Sequence, residues 1–207
     1  AEYLIERKRI CYTSSASFAD ILKNESRGNR SLMAFGDPDG TLPAAAEEVR
    51  SLREKIFKAD ATVLVSKDAT KAAFLNRAKD FNLLHLATHG VIEANPLDSY
   101  LLFAGASKES QELTLNEVAG YAALREKNSL VFLSACQTAK EAGKAGTGSE
   151  LITLAEAFAM AGAPTLIATL WQVEENSTRQ LALAFYDELI NKKKDKLDSL
   201  RAAQIAE

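Results

Sequence analysis

Short apolar runs alternate with longer stretches of helical periodicity along this chain, and this alternation constrains the fold more than any other feature. The runs have the length of buried strands, and the stretches between them repeat apolar residues every three or four positions. Strands that alternate with helices are typical of βαβ units and a largely parallel sheet, so the sequence predicts an α/β fold. The predicted strands are 9–13, 31–36, 61–66, 82–88, 99–103, 129–135 and 164–171, and the predicted helices are 44–58, 69–79, 113–124, 149–162, 177–191 and 196–206.

Two of the predicted helices carry a capping box at their start. In Thr114-x-x-Glu117 and in Ser177-x-x-Gln180, a hydroxyl precedes a long polar side chain by three residues. Each side chain of such a pair can accept a hydrogen bond from a backbone N–H that the first helical turn leaves without a partner. We therefore expect one helix to begin at Thr114 and another at Ser177.

Composition and charge exclude several classes of function. Hydrophobic residues make up 47% of the chain and charged residues 26%, as in globular domains with a sizeable core. The formal net charge of −3 argues against a general attraction to nucleic acid. No run approaches the ~20 apolar residues of a membrane span, and the start lacks a signal-peptide profile. We expect neither nucleic acid nor a membrane as a partner.

Cysteine usage and chain length indicate the compartment and the domain organisation. The two cysteines, Cys11 and Cys136, lie in different segments and do not suggest a disulfide framework, so we expect a reducing, cytoplasmic location. The even alternation of elements predicts that 1–207 is a single domain. Because the chain begins without methionine and ends within a predicted helix, we expect it to be a fragment of a longer protein.

Two predicted strands each lead to a reactive side chain. The run 83–87 is followed by His89, and the run 130–133 is followed by Cys136. If these strands are parallel neighbours, their carboxyl ends lie ~4.8 Å apart at one edge of the sheet, where open α/β sheets bind their ligands. A thiol beside an imidazole is the minimal machinery of a cysteine hydrolase.

This chemistry predicts a role for each residue. A neighbouring imidazolium can lower the pKa of a thiol from ~8.5 to ~3.5–7.5. We therefore predict that Cys136 is the nucleophile and that His89 activates it and then protonates the leaving amine. The oxyanion of the tetrahedral intermediate needs backbone donors. The predicted donors are the N–H groups of Gly90 and Cys136, because a glycine lets the backbone approach a substrate closely.

The same residues also have plainer interpretations. A cysteine at the end of a buried strand is more often a small core residue than a nucleophile. His85 lies inside the strand without a third metal ligand nearby, so we assign it to packing and hydrogen bonding and predict no metal or organic cofactor. The segments 90–99 and 139–149 are predicted loops. Within the second, the glycine-rich stretch 143–149 lacks the Walker order of a phosphate-binding loop, which argues against a nucleotide-binding regulator and favours a flap near the cleft.

The order and spacing of the two residues are similar to those of caspases. His89 precedes Cys136 by 47 residues, and in caspases the histidine lies ~50 residues before a Gln-Ala-Cys motif. The residues on either side of Ala135-Cys136-Gln137 are Ser134 and Thr138, which depart from the caspase pattern.

Nearly the whole chain closely resembles the CHAT domain, a caspase-like module related to separase and commonly attached to tetratricopeptide repeats. The segment 85–90 resembles the family's histidine motif, and 133–138 resembles its cysteine motif. Further similar segments are 3–6, 12–15, 40–43, 47–48, 96–99, 161–164 and 170–173. The resemblance implies a caspase-like three-layer sandwich whose mostly parallel central sheet carries helices on both faces. It also implies a His-Cys dyad, cleavage of protein substrates and a tetratricopeptide-repeat or other regulatory partner domain.

The chain departs from the family pattern in two places. It has Gly146-Thr147-Gly148 where the family has more acidic residues, and Glu174 and Glu175 where aspartates are common after Trp171. In separase-like relatives an acidic residue of this region lines the pocket for a basic P1 side chain, the residue before the scissile bond. By this resemblance Glu175, Glu174 and Asp98 are the predicted substrate-binding residues. Glutamates on a solvated loop before a helix are an equally simple interpretation.

The sequence as a whole predicts a cysteine endopeptidase from a bacterial, intracellular regulatory protein, with activity gated by a partner domain or signal. The alternative is a caspase-like interaction module that keeps the fold without turnover. The presence of His89, Gly90 and Cys136 together favours the enzyme.

Overall fold

The computed structural model of the protein describes residues 3–11, 30–125, 127–134, 137–139, 149–168 and 175–206, with the backbone alone at 137–139, 149–153 and 175. The strands are β1 (Leu32–Gly36), β2 (Ala61–Val65), β3 (Leu83–Ala87), β4 (Gly90–Ile92), β5 (Tyr100–Leu102), β6 (Glu112–Thr114), β7 (Leu130–Leu133), β8 (Gln137–Ala139) and β9 (Leu166–Ala168). The helices are α1 (Leu4–Arg7), α2 (Pro43–Leu52), α3 (Lys71–Arg77), α4 (Lys108–Gln111), α5 (Leu115–Gly120), α6 (Ser149–Ala161), α7 (Glu175–Tyr186) and α8 (Lys196–Ala206).

The central sheet is parallel throughout its described strands. Its order is β2-β1-β3-β7-β9, and every neighbouring pair runs in the same direction. β3 and β7 are direct neighbours, with Leu86 opposite Leu133. The prediction of adjacent parallel strands before His89 and Cys136 is therefore confirmed.

Helices cover both faces of this sheet. Successive side chains of a strand point to opposite faces, so each strand presents apolar residues to both helical layers. In β3, Leu84 and Leu86 pack on one side, whereas Leu83 and Ala87 pack on the other. The first side is covered by α3, α5 and α6, and the second by α2, α7 and α8. Strands buried on both faces read as continuous apolar runs, as parallel strands do. The predicted three-layer α/β sandwich is confirmed.

A second, smaller sheet, in the order β6-β5-β4-β8, contains the strands β4 and β8 that follow β3 and β7 along the chain. The predicted strand 99–103 is present as β5 but belongs to this sheet, where it runs antiparallel to β4 and β6. The segment 90–99 was predicted as a loop, and this is wrong at its start, because β4 occupies Gly90–Ile92. A three-residue strand is too short to show a periodicity of two, so its sequence carries no recognisable signal.

The amino-terminal segment also differs from its prediction. Residues 9–11 of the predicted strand 9–13 are not in a strand, and 12–13 lie outside the described residues. The segment instead contains α1, which packs on α8. The Arg201 side chain donates to the backbone carbonyl of Ile5 at 2.7 Å and to that of Glu6. Ile10 is 38% exposed and Cys11 is also exposed, so neither residue is part of a sheet core.

Of the two predicted capping boxes, one is confirmed. Thr114 caps α5, and Glu117 reaches back to the Thr114 backbone N–H at 2.9 Å. The prediction at Ser177 is wrong, because the backbone is already helical from Glu175 and the motif lies inside α7. The predicted helices 44–58 and 177–191 extend beyond α2 and α7 as π turns at Arg53–Phe57 and Asp187–Asn191. No helix within the described ranges is both long enough and apolar enough to span a membrane.

Candidate active site

The carboxyl ends of β3 and β7 remain side by side as the chain leaves the central sheet. The Ser134 N–H donates to the Leu86 carbonyl at 3.0 Å, which extends the pairing one residue beyond β7. In the second sheet β4 and β8 pair in parallel, with Gly90 opposite Gln137. Gly90 directly follows His89, and Gln137 directly follows Cys136 in the sequence. Cys136 itself lies outside the described residues.

The segment that contains His89 is anchored by its neighbours. The His89 carbonyl accepts a hydrogen bond from the Leu102 N–H at 2.9 Å, and the Thr88 hydroxyl donates to the Leu102 carbonyl. Thr88 is buried and Gly90 lies in β4 between β5 and β8. The His89 backbone is thus held between the two sheets, while its side chain remains 25% exposed.

The loop after β1 lies over the end of β3 and contacts His89. The backbone N–H of Asp37 donates to the Ala87 carbonyl at 3.1 Å, and the Asp37 carboxylate accepts from the Leu42 N–H at 2.7 Å. Gly36 lets this loop turn directly into α2, because a Cβ atom there would lie 2.8 Å from the Ala45 carbonyl oxygen. The loop is therefore closed by its own hydrogen bonds and by tight packing.

Two side chains of this loop contact the imidazole of His89. The Thr41 Oγ1 atom lies 2.7 Å from His89 Nε2, and the Asp39 Oδ2 atom lies 3.6 Å from the same nitrogen. Thr41 also donates its hydroxyl hydrogen bond to Asp39 Oδ1 at 2.8 Å. A base oriented by a third group is a recurring feature of nucleophilic active sites.

Sequence reasoning assigned no role to Asp39 or Thr41. A signal was nevertheless present, because both follow β1, the strand next to β3 in the sheet. Side chains that follow neighbouring parallel strands meet at the same sheet edge, so the loop after β1 is expected to lie beside His89.

His85 occupies a different environment inside the central sheet. Its side chain is fully buried and stacks on Phe132, with ring centroids 5.0 Å apart. His85 Nε2 lies 2.8 Å from Glu48 Oε1, an ion-pair distance, though the two atoms are not aligned as a hydrogen bond. On the other side of the ring, the Tyr186 hydroxyl lies 3.4 Å from Nδ1. The structure therefore places His85 in the packing and hydrogen-bonding role that the sequence suggested.

Glu48 is the residue of this buried cluster that sequence reasoning missed. Its side chain is 3% exposed, and its second carboxylate oxygen accepts from the Ser134 hydroxyl at 3.0 Å. Burial, and next the negative charge of Glu48, raise the pKa of Tyr186 well above its usual value. The signal lay in the helix pattern, since Glu48 falls between Ala45 and Leu52 on the face of α2 that packs on the sheet.

The three predicted substrate-binding residues lie in two separate segments of the chain. Asp98 ends the exposed turn Pro96–Asp98 and accepts from the Asn95 side-chain amide at 2.9 Å. Glu175 is the first residue of α7 and is described by its backbone alone. Glu174 lies outside the described residues, as does 143–148 of the predicted flap.

No group of three or more His, Cys, Asp or Glu residues among those described could hold a metal ion. Cys11 is exposed.

Comparison with known proteins identifies a family that the chain matches. The family model described as the CHAT domain matches residues 1–207, the full length of the chain. A search of curated proteins found no match to the chain. The family match thus includes the segments of His89, of Cys136 and of the loop that holds Asp39 and Thr41.

Proposed function

The chain belongs to the CHAT-domain family, and on that premise we propose that it is a cysteine endopeptidase with Cys136 as nucleophile and His89 as general base and acid. The family is caspase-like and related to cysteine peptidases. The single observation that supports the proposal most is the parallel pairing of Gly90 with Gln137. It brings together the residues that directly follow the proposed base and the proposed nucleophile.

The proposed reaction follows from the two side chains. His89 takes the thiol proton, and the Cys136 sulfur attacks the scissile carbonyl carbon. Collapse of the tetrahedral intermediate breaks the C–N bond, while His89 gives its proton to the leaving amine. Water then hydrolyses the thioester in a second cycle of the same transfers. The partly exposed His89 side chain is suited to contact both solvent and substrate.

Further parts of the proposal concern substrate binding. The proposed oxyanion donors are the backbone N–H groups of Gly90 and Cys136, supported by the position of Gly90 directly after His89. Glu175, Glu174 and Asp98 are proposed to bind a basic P1 side chain, because carboxylates pair with Arg and Lys through charge-assisted hydrogen bonds.

The proposed setting is a bacterial cytoplasm, and the proposed partners are a protein substrate and a regulatory domain such as a tetratricopeptide repeat. The support is cysteine usage typical of reducing compartments and a composition without features of nucleic-acid binding. A cytosolic peptidase also needs restraint, which is why we propose that a partner domain or signal gates it.

A thiol-reactive peptidyl probe with Arg at P1, followed by mass spectrometry, tests the proposal. The protein carries Cys11→Ser, so that Cys136 is the sole thiol. We expect the probe with Arg at P1 to label Cys136. We expect no labelling in His89→Ala, and none by an equivalent probe with Asp at P1. In the unsubstituted chain, equal labelling of Cys11 and Cys136 that is unaffected by His89→Ala would contradict the enzyme and favour the non-catalytic interaction module. A preference for apolar P1 residues would remove only the assignment of Glu175, Glu174 and Asp98.

A further inference from the structure

We infer that Asp39 and Thr41 are positioning residues that hold His89 in the tautomer with its proton on Nε2, which leaves Nδ1 as the basic nitrogen. This inference deepens the proposed function and rests on it for its catalytic meaning. The arrangement on which it depends is a chain of three groups. Asp39 Oδ1 lies 2.8 Å from Thr41 Oγ1, which lies 2.7 Å from His89 Nε2.

Counting hydrogens along this chain fixes the direction of each bond. A carboxylate only accepts hydrogen bonds, and a threonine hydroxyl has a single hydrogen to donate. Since Thr41 donates that hydrogen to Asp39, its oxygen can only accept from His89. The hydrogen between Thr41 and His89 must therefore belong to Nε2, and a neutral imidazole with Nε2–H has no proton on Nδ1.

The loop holds both residues in place before any substrate binds. The Thr41 backbone N–H also donates to Asp39 Oδ1, at 3.1 Å, so the carboxylate is bound by two groups of the same residue. Gly40, between them, has a φ of 80°, a left-handed conformation that favours glycine. The neighbouring Asp37 carboxylate closes the loop by accepting from the Leu42 N–H. Asp39 and Thr41 thus depend little on His89 for their own geometry.

The arrangement has a specific consequence for proton transfer. When the Cys136 thiol loses its proton to His89 Nδ1, the imidazole becomes a cation, and both of its nitrogens then donate. Thr41 still accepts from Nε2–H, and the Asp39 carboxylate, 3.6 Å from Nε2, stabilises the new positive charge without taking the proton. The proton on Nδ1 is then the one that passes to the leaving amine.

Imidazole tautomers can be observed directly by nuclear magnetic resonance. The chain has two histidines, so long-range ¹H–¹⁵N correlation of the labelled protein gives two sets of ring signals, and His89→Gln identifies which set belongs to His89. With the imidazole of His89 neutral, we expect the parent to show Nε2 protonated and Nδ1 unprotonated. The ring signals of His85 serve as an internal control that the fold is intact.

Three variants test the chain of hydrogen bonds. Thr41→Val is close to isosteric but has no hydroxyl, and Asp39→Ala frees the Thr41 hydroxyl to donate to His89. We expect both to give His89 signals that are averages of two tautomers. Thr41→Ser restores a hydroxyl, and we expect it to restore the single tautomer. Signals of His89 that are the same in all three variants, or an Nδ1–H tautomer in the parent, would overturn the inference.

Cleavage of a peptide with Arg at P1 provides the second readout. We expect Thr41→Val to lower kcat about 10-fold, a fraction of the ~10²–10⁴-fold that general acid–base catalysis contributes, with KM little changed and with recovery in Thr41→Ser. An unchanged kcat in Thr41→Val would overturn the catalytic meaning of the arrangement. No cleavage by the parent would count against the proposed function instead, and the tautomer comparison would still decide whether Asp39 and Thr41 position His89.

Discussion

The two histidines of this protein lie four residues apart and differ in almost every physical respect. His85 is inside β3, fully buried, between an aromatic ring and a buried carboxylate. His89 lies two residues beyond the end of β3, is 25% exposed and contacts a loop that solvent can reach. Inside the strand, His85 contributes to the packing of the core. Two residues beyond the end of the strand, His89 is accessible for a reaction.

The two environments also differ in how strongly solvent screens the interactions of each histidine with its neighbouring carboxylate. Glu48 and His85 are both removed from water, so each depends on the other and losing either leaves an uncompensated group. Asp39 and His89 are both partly exposed to solvent. Solvent screens the attraction between them and limits its contribution to stability. We therefore expect substitutions around His85 to change stability and substitutions around His89 to change reactivity.

The largest expected effect is that of Glu48→Leu. The substitution leaves the buried His85 without the carboxylate that lies 2.8 Å from its Nε2 atom, and it removes the acceptor of the Ser134 hydroxyl. We expect the free energy of unfolding in urea to fall by about 3–5 kcal/mol, the usual cost of removing one partner of a buried pair.

Glu47→Leu is the matched control for this substitution. Glu47 is the adjacent residue, and its ion pair with Arg179 is exposed, with the Glu47 side chain 66% accessible to solvent. We expect a loss of less than about 1 kcal/mol there. The double substitution Glu48→Leu with His85→Leu should recover much of the loss, and no recovery would show that the pair is not the source.

The next largest expected effect is a loss of stability at alkaline pH that depends on Tyr186. Burial and Glu48 raise the pKa of Tyr186 in the folded state, so the native protein keeps a proton that the unfolded chain loses above pH ~10. This contribution is therefore fully present below that pH and is lost as the pH rises further. In urea unfolding at a series of alkaline pH values, Tyr186→Phe should lose stability less steeply than the parent. Tyr121→Phe should flatten the curve less, because burial raises its pKa by a smaller amount. Parallel curves for the parent and Tyr186→Phe would contradict the account.

The smallest expected effect separates the two histidines by the same substitution. His89→Gln should change the free energy of unfolding by no more than about 0.5 kcal/mol, as is usual for partly exposed sites outside the core. His85→Gln should cost about 1–3 kcal/mol, because its amide cannot satisfy the buried groups around it. Equal losses of unfolding free energy in the two variants would contradict the assignment of His85 to the core and of His89 to a reactive site.

The sequence predicted the parts of the fold that depend on local pattern. The apolar runs of β3 and β7 are continuous and helix-separated, so their parallel pairing and the position of His89 at the sheet edge could be expected. β4 and β8 could not, since three residues show no periodicity and their pairing depends on tertiary contacts. The partnership of Thr41 with His89 spans 48 positions, so it emerges only when β1 and β3 are known to be neighbours.

The most direct test of the account is the pH dependence of Cys136 alkylation by iodoacetamide in the Cys11→Ser protein, which requires neither a substrate nor an activating partner. We predict that the midpoint lies at about 3.5–7.5 in the parent, as for thiols beside an imidazolium, and that His89→Gln moves it towards ~8.5, the value of an isolated thiol. Identical midpoints in the parent and in His89→Gln would contradict the claim that His89 and Cys136 form a catalytic dyad.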